Sequence, residues 1–287
     1  MKDKIKALAL ASAPVYLMVL MQGLAAAGVL LFITLPHVAE FPAGMNYEEF
    51  SKFMWSILQR TSSIARISCV YAVFAIWVFK RWRYKVTDDS VTYFTINNSL
   101  SLMVKLIMSL ILLAVAFQII SEAVISALYS VMPKASDNYQ QLLENSGLTG
   151  KVSFLLGLYT VLLGPIAEEF AFRGVSLSIL EKQFGFVIAN ILQALFFGFV
   201  HLNLIQGIYA FGVGLFVGYI VHLTGNIITS ILFHIAFNTA GLVIPDLLSG
   251  NSFQTTSIVL VASMFAVVLA IKKLQYVVSK TKEIVNE

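Results

Sequence analysis

Two adjacent glutamates, an arginine four residues later and two histidines in separate apolar segments are the groups in this chain best suited to chemistry. The glutamates stand in Gly164-Pro165-Ile166-Ala167-Glu168-Glu169-Phe170-Ala171-Phe172-Arg173-Gly174, a run that is otherwise apolar. Each charge at the centre of a membrane helix costs about 2.5–3.5 kcal/mol on insertion scales, so three unpaired ones would cost roughly 7–10 kcal/mol. A chain keeps such charges only where they face a protein-lined or watery interior and find partners there. His201 and His234 lie in later apolar segments and could meet them. The constellation points to hydrolytic chemistry inside a bilayer.

Spacing separates the roles. On a helix Glu169 and Arg173 are i,i+4 neighbours with the glutamate first, the favourable order for an ion pair. Glu168 points about 140° away from Arg173 at 3.6 residues per turn, which leaves its carboxylate available as a general base toward water. Pro165 removes a backbone donor just upstream and is expected to break the helix, so that the glutamates begin a fresh half. Phe197 and His201 are i,i+4, which sets an apolar wall beside an imidazole. His234 and Asn238 share the same spacing, and an imidazole with a carboxamide offers two donors, the equipment of an oxyanion hole.

Composition says what must position these groups. Hydrophobic residues make up 59% of the 287 and charged residues 12%, against roughly 45–50% and 25% in soluble domains. With a mean hydropathy of +0.85, the expected fold class is all-α, a polytopic transmembrane helix bundle. About eight spans can be drawn, near 8–35, 58–79, 101–127, 151–180, 184–202, 204–223, 226–248 and 255–271. Lys2, Lys4 and Lys6, then Lys80, Arg81, Arg83 and Lys85, then Lys182, then Lys272, Lys273, Lys280 and Lys282 all fall on one face of that arrangement. By the positive-inside bias this face is the cytoplasm, with both termini on it. Segments 36–55 and 132–150 become outer loops. The expected organisation is residues 1–149 as three divergent spans with loops, 150–250 as the chemical core, and 251–287 as a last span with a basic tail. The apolar run 7–35 is too long for the core of a secretory signal, so it is expected to persist as a first span.

Other features take plainer readings. Gly207, Gly212, Gly214 and Gly218 form a small-residue face suited to close helix packing, or to shaping a substrate groove. Lone Cys69 offers no disulfide within the chain. His37 falls in a loop and His222 reads as a helix-packing hydrogen bonder. Glu122 and Lys105 can snorkel toward water, and Arg60 or Arg66 could partner Glu122. The net charge of +4 resides at the ends of apolar runs, which argues for a lipid bilayer and against nucleic acid as partner.

With these residues in place, the chain resembles the CPBP family, also called the Abi or type II CAAX prenyl endopeptidase family. Three motifs carry the resemblance: Glu168-Glu169-xxx-Arg173, Phe197-xxx-His201 and His234-xxx-Asn238, flanked by Pro165, Phe172-Arg173-Gly174 and Thr224-Gly225-Asn226. It covers about residues 150–245. The resemblance implies an intramembrane endopeptidase with membrane-embedded protein or peptide substrates. It assigns Glu168 to water activation, His201 to holding that water, and His234 and Asn238 to the oxyanion, with Glu169, Arg173 and Phe197 in support. It further implies a bacterial cytoplasmic membrane and a link to bacteriocin self-immunity or peptide processing, without requiring prenylated substrates. The family carries a metalloprotease label. Zinc on Glu168, His201 and His234 is conceivable, since Zn²⁺ takes three protein ligands and an open position, but the implied roles work without a metal and none is required.

Two other classes compete. A non-catalytic immunity or scaffold protein would bind a peptide or a partner membrane protein and would tolerate loss of a motif residue; none is lost. A proton-coupled transporter would show inverted repeats and acidic residues across several spans, and neither is evident. One tension remains within the span limits. At 1.5 Å rise per residue they put Glu168 roughly 18 Å, His201 roughly 25 Å and His234 roughly 12 Å from the cytoplasmic face. A shared site then requires span four to end soon after Gly174, with Ser176–Lys182 as a separate short helix.

Overall fold

In hydrocarbon every backbone N–H and C=O must be bonded within the chain, so long apolar segments can only be helices or closed barrels. The computed structural model describes residues 2–34, 46–58, 71–72, 74–76, 78, 100–245 and 253–286, and every regular element among them is helical. The elements are α1 (Lys2–Thr34), α2 (Tyr47–Leu58), α3 (Leu100–Val131), α4 (Pro133–Asn145) and α5 (Phe154–Leu158). A π-helical segment Tyr159–Leu163, α6 (Gly164–Ala171) and a second π segment Phe172–Leu177 continue from α5. Then come α7 (Ser178–Phe199), α8 (Leu204–Thr224), α9 (Ile227–Gly241) and α10 (Phe253–Asn286).

Among the described residues five stretches are long and apolar enough to cross a bilayer: Lys2–Met21, Leu100–Val131, Phe154–Phe199, Leu204–Thr224 and Gln254–Thr281. The chain is an integral membrane protein. Most of the span drawn at 58–79 lies outside the described residues. Those drawn at 151–180 and 184–202 are two helical stretches, divided at Gly185, whose non-helical φ of 73° and ψ of 166° lie where only glycine sits easily. The span drawn at 226–248 shortens to the 15 residues of α9. At 1.5 Å per residue that is about 22 Å, short of the ~30 Å hydrocarbon core. Both supposed outer loops contain helices, α2 and α4. The second is opened by Pro133 in its first turn, where a missing N–H costs nothing.

The break at Gly185 is held against the end of α8. Glu181, one turn before it, lies 3.3 Å from His222 Nδ1, and Phe186, just after it, stacks on the His222 ring with centroids 3.7 Å apart. Farther along, α7 and α8 approach at their glycines. A Cβ on Gly198 would fall 2.7 Å from the Gly207 carbonyl oxygen, and one on Gly214 would fall 3.2 Å from both Cα and Cβ of Ala194. The small-residue face is therefore a close-packing face. At its other end Gly225, in the left-handed region at φ 64°, closes α8, and the Asn226 side chain accepts from Ile228 N to open α9.

Two apolar clusters flank a polar seam. One joins Ala7 and Ala11 of α1 to Ala171, Phe172, Leu180 and Phe197. It is fastened by the Ser176 hydroxyl, which donates to the Ala11 carbonyl at 2.6 Å. The other joins Leu106, Leu110 and Leu113 of α3 to Phe233 of α9 and Leu274 of α10. Phe197 of the second motif belongs to the first cluster, and Phe233, beside His234 of the third motif, to the second.

Candidate active site

The helix carrying the glutamates is continuous, so the expected break at Pro165 is instead a change of register. In the first π segment Gly164 N–H bonds the carbonyl five residues back, at Tyr159. The next donor in that register would be Pro165, which has no N–H, and the Thr160 carbonyl is left over. The Asn238 side chain fills the gap, its Nδ2 donating to Thr160 O at 2.8 Å. The proline that positions the glutamates thereby also anchors the last residue of the third motif.

Glu169 and Arg173 form the ion pair that their spacing anticipates. Arg173 Nη1 donates to Glu169 Oε1 at 2.8 Å, and both side chains are fully buried. That same oxygen accepts from His234 Nδ1 at 2.8 Å. A carboxylate paired with arginine is acceptor-only, so the histidine is the donor here. The other imidazole nitrogen, Nε2, faces Glu168 Oε2 at 3.6 Å. Glu168 is the more open of the pair, with its side chain 20% exposed. His234, expected mainly as an oxyanion donor, thus stands between two carboxylates.

The Phe197 ring is the hub of the site. It meets Phe172, His201 and His234 edge-on, at centroid distances of 5.2, 5.0 and 5.8 Å. The Arg173 guanidinium lies 4.7 Å from its centroid. His201 follows the end of α7, and its Nδ1 donates to the Phe197 carbonyl at 2.7 Å. That bond fixes the tautomer and leaves Nε2 with a free lone pair. His201 is within electrostatic reach of Glu168, His234 and Arg173. Leu202, next in the chain, has φ of 54°, an uncommon left-handed setting for a non-glycine residue.

The depths that seemed irreconcilable are shared, because Glu169 touches His234 and Phe197 touches Phe172. No separate helix at Ser176–Lys182 is needed, since that stretch continues the run through the second π segment. A π turn takes more residues per turn than an α turn, so counting at the α-helical rise overstates axial distance there.

Sequence reasoning passed over Asn190 and Gln193. Gln193 is fully buried and donates from Nε2 to Gly214 O at 2.9 Å and to Asn190 Oδ1 at 2.8 Å. Asn190 Nδ2 donates to Leu215 O at 2.9 Å. Gly214 O also takes Arg173 Nη2 at 3.1 Å, so one carbonyl links the amide pair to the glutamate site. The legible signal was two amides three residues apart in an apolar helix, opposite the glycines of α8.

Among the described residues no three His, Cys, Asp or Glu side chains are grouped so as to hold a metal ion.

Fold and site together define a multi-pass membrane protein whose helices bury paired carboxylates, imidazoles and an arginine in one seam. Residues 150–240 match the family model described as type II CAAX prenyl endopeptidase Rce1-like. This is the family that the three motifs resemble, and it is a protease family of the CAAX, intramembrane type. Comparison with curated proteins and with solved structures found no match.

Proposed function

We propose that the chain is a membrane-embedded endopeptidase in which Glu168 activates water and the Glu169–Arg173–His234 group holds the site's charge in balance. The observation that carries this is the division of labour between adjacent carboxylates. Glu169 is sealed and neutralised by Arg173, while Glu168 is partly open and faces an imidazole. Glu168 takes a proton from a water that the His201 Nε2 lone pair helps to orient. The resulting hydroxide adds to the carbonyl carbon of the substrate peptide bond. The second N–H of Asn238 Nδ2 and, when His234 is protonated, its Nε2–H stabilise the oxyanion. The protonated Glu168 then gives its proton to the departing nitrogen as the C–N bond breaks. No step is routed through a metal.

The substrate is a membrane-associated peptide or protein, entering between the two apolar clusters. The test is purified protein in nanodiscs against a membrane-peptide library, comparing wild type with Glu168→Ala and Glu169→Ala. Glu168→Ala is expected to abolish cleavage with little change in thermal stability. Wild-type rates in that variant would remove this reading.

A further inference from the structure

A second polar cluster lies beside the glutamate site, and the proposed reaction makes no use of it. Glu122, half-buried on α3, accepts a hydrogen bond from Gln118 Nε2 at 2.9 Å, and among the described residues no cation pairs with it. Three tyrosines are within its electrostatic reach. Tyr129 follows it by seven residues on α3, about two turns, and so shares its face. Tyr139 comes from α4 and Tyr209 from α8. Their hydroxyls are 3.3 Å apart, and their rings meet edge to face with centroids 6.3 Å apart.

The cluster adjoins the reacting groups. Tyr209 is in electrostatic reach of Glu168 as well as of Glu122. Gln118 abuts Gly241, where an added Cβ would lie 3.4 Å from Gln118 Nε2, and Gly241 is three residues past Asn238. A carboxylate near phenol hydroxyls suits an ammonium or guanidinium: the charge attracts the cation and the oxygens can accept its N–H groups. A membrane carboxylate is costly without such a partner.

We propose that Glu122, with Tyr129, Tyr139 and Tyr209, forms a subsite for a basic side chain of the peptide substrate, next to the bond that is cut. The proposal rests on the endopeptidase reading above. The substrate class it defines is a largely apolar peptide carrying a lysine or arginine at one fixed distance from the cleavage site.

The probe is a scanning set of apolar peptides of about 20 residues, membrane-spanning length. Each carries a single lysine, and each has a twin with norleucine in its place. Hydrolysis is followed with wild-type protein. Binding is followed separately with the Glu168→Gln protein in nanodiscs. At one register the lysine peptide is expected to exceed its twin by about tenfold or more in kcat/KM and in affinity. Glu122→Gln should bring both ratios to within about twofold of unity, and Glu122→Asp should restore most of the preference. Equal handling of both twins at every register overturns the proposal. So does a lysine preference that survives Glu122→Gln. A loss of preference that Arg60→Gln or Arg66→Gln reproduces would mean Glu122 serves an internal ion pair, and that also overturns it. Selective binding without hydrolysis upholds the cation subsite and removes the endopeptidase reading instead.

Discussion

Glu169 Oε1 is shared between Arg173 and His234, each at 2.8 Å. One buried oxygen therefore carries two jobs, neutralising a guanidinium inside the membrane and fixing the ring that faces Glu168. A buried ion pair is weak evidence for stability by itself, because desolvation offsets the attraction. Its value here lies in orientation: with Nδ1 held by Glu169, the His234 ring can present only Nε2 toward Glu168.

Removing one partner should therefore cost more than removing both. Glu169→Ala strands Arg173 in a fully buried position, and about 3–5 kcal/mol of stability is expected to go with it. The double variant Glu169→Leu/Arg173→Leu should recover most of that loss while remaining inactive, since the ring is then unanchored. Thermal unfolding in detergent, read beside peptide cleavage, checks both halves. A double variant as unstable as Glu169→Ala would show that the charges, not their imbalance, hold the helices together.

The i,i+4 logic that pairs Glu169 with Arg173 was readable because both residues sit within one helical run. The place of His234 was not, since its distance to either glutamate depends on how α9 packs against α6. Hydropathy likewise located the apolar runs, and the division it drew between 151–180 and 184–202 falls at Gly185, but it could not foresee the His222 contacts that hold this break. It also could not show that α9 stops at Gly241. The first π segment was invisible for a further reason: no local composition demands it, and it lies where Pro165 and the Asn238 contact make an extra residue per turn tolerable. Gln193 was missed because an amide in an apolar helix carries no motif until the carbonyl it bonds is known.

The close face between α7 and α8 yields a test of that amide network. A Cβ on Gly218 would lie 1.9 Å from Asn190 Oδ1 and 2.8 Å from Gln193 Nε2. Gly218→Ala must therefore push the Asn190 amide off its bonds to Leu215 O and Gln193, and about 1–3 kcal/mol of destabilisation is expected. Adding Asn190→Ala relieves the clash, so the double variant should be more stable than the sum of the two single losses allows. Strict additivity in denaturation midpoints would mean that the helices simply move apart.

Phe197 should be more sensitive to shape than to hydrophobicity. Its ring touches Phe172, His201, His234 and the Arg173 guanidinium at once. Phe197→Leu keeps an apolar side chain but loses the flat face, including a cation–π contact worth about 0.5–2 kcal/mol. A loss in kcat of roughly tenfold or more, with thermal stability lowered only slightly, is expected as both imidazoles lose their wall. Phe197→Tyr, nearly isosteric, should retain more activity than Phe197→Leu. The opposite order in single-turnover cleavage would count against the ring as the positioning element.

The bond from Asn238 to Thr160 ties the third motif to the proline of the first, and that coupling can be measured apart from catalysis. Thr160 O is available because Pro165 has no N–H to give it, and Asn238 Nδ2 takes the vacated place at 2.8 Å. Asn238→Ala should leave a carbonyl unbonded inside the membrane, at a cost of about 1–3 kcal/mol. Pro165→Ala supplies a backbone N–H to the same stretch. In that background the cost of Asn238→Ala is expected to shrink by about 1 kcal/mol, within the range seen for residues that share a partner. Unfolding free energies of the four proteins close the cycle. Should Asn238→Ala cost the same with proline and with alanine at position 165, the two residues are independent and the register change has another cause.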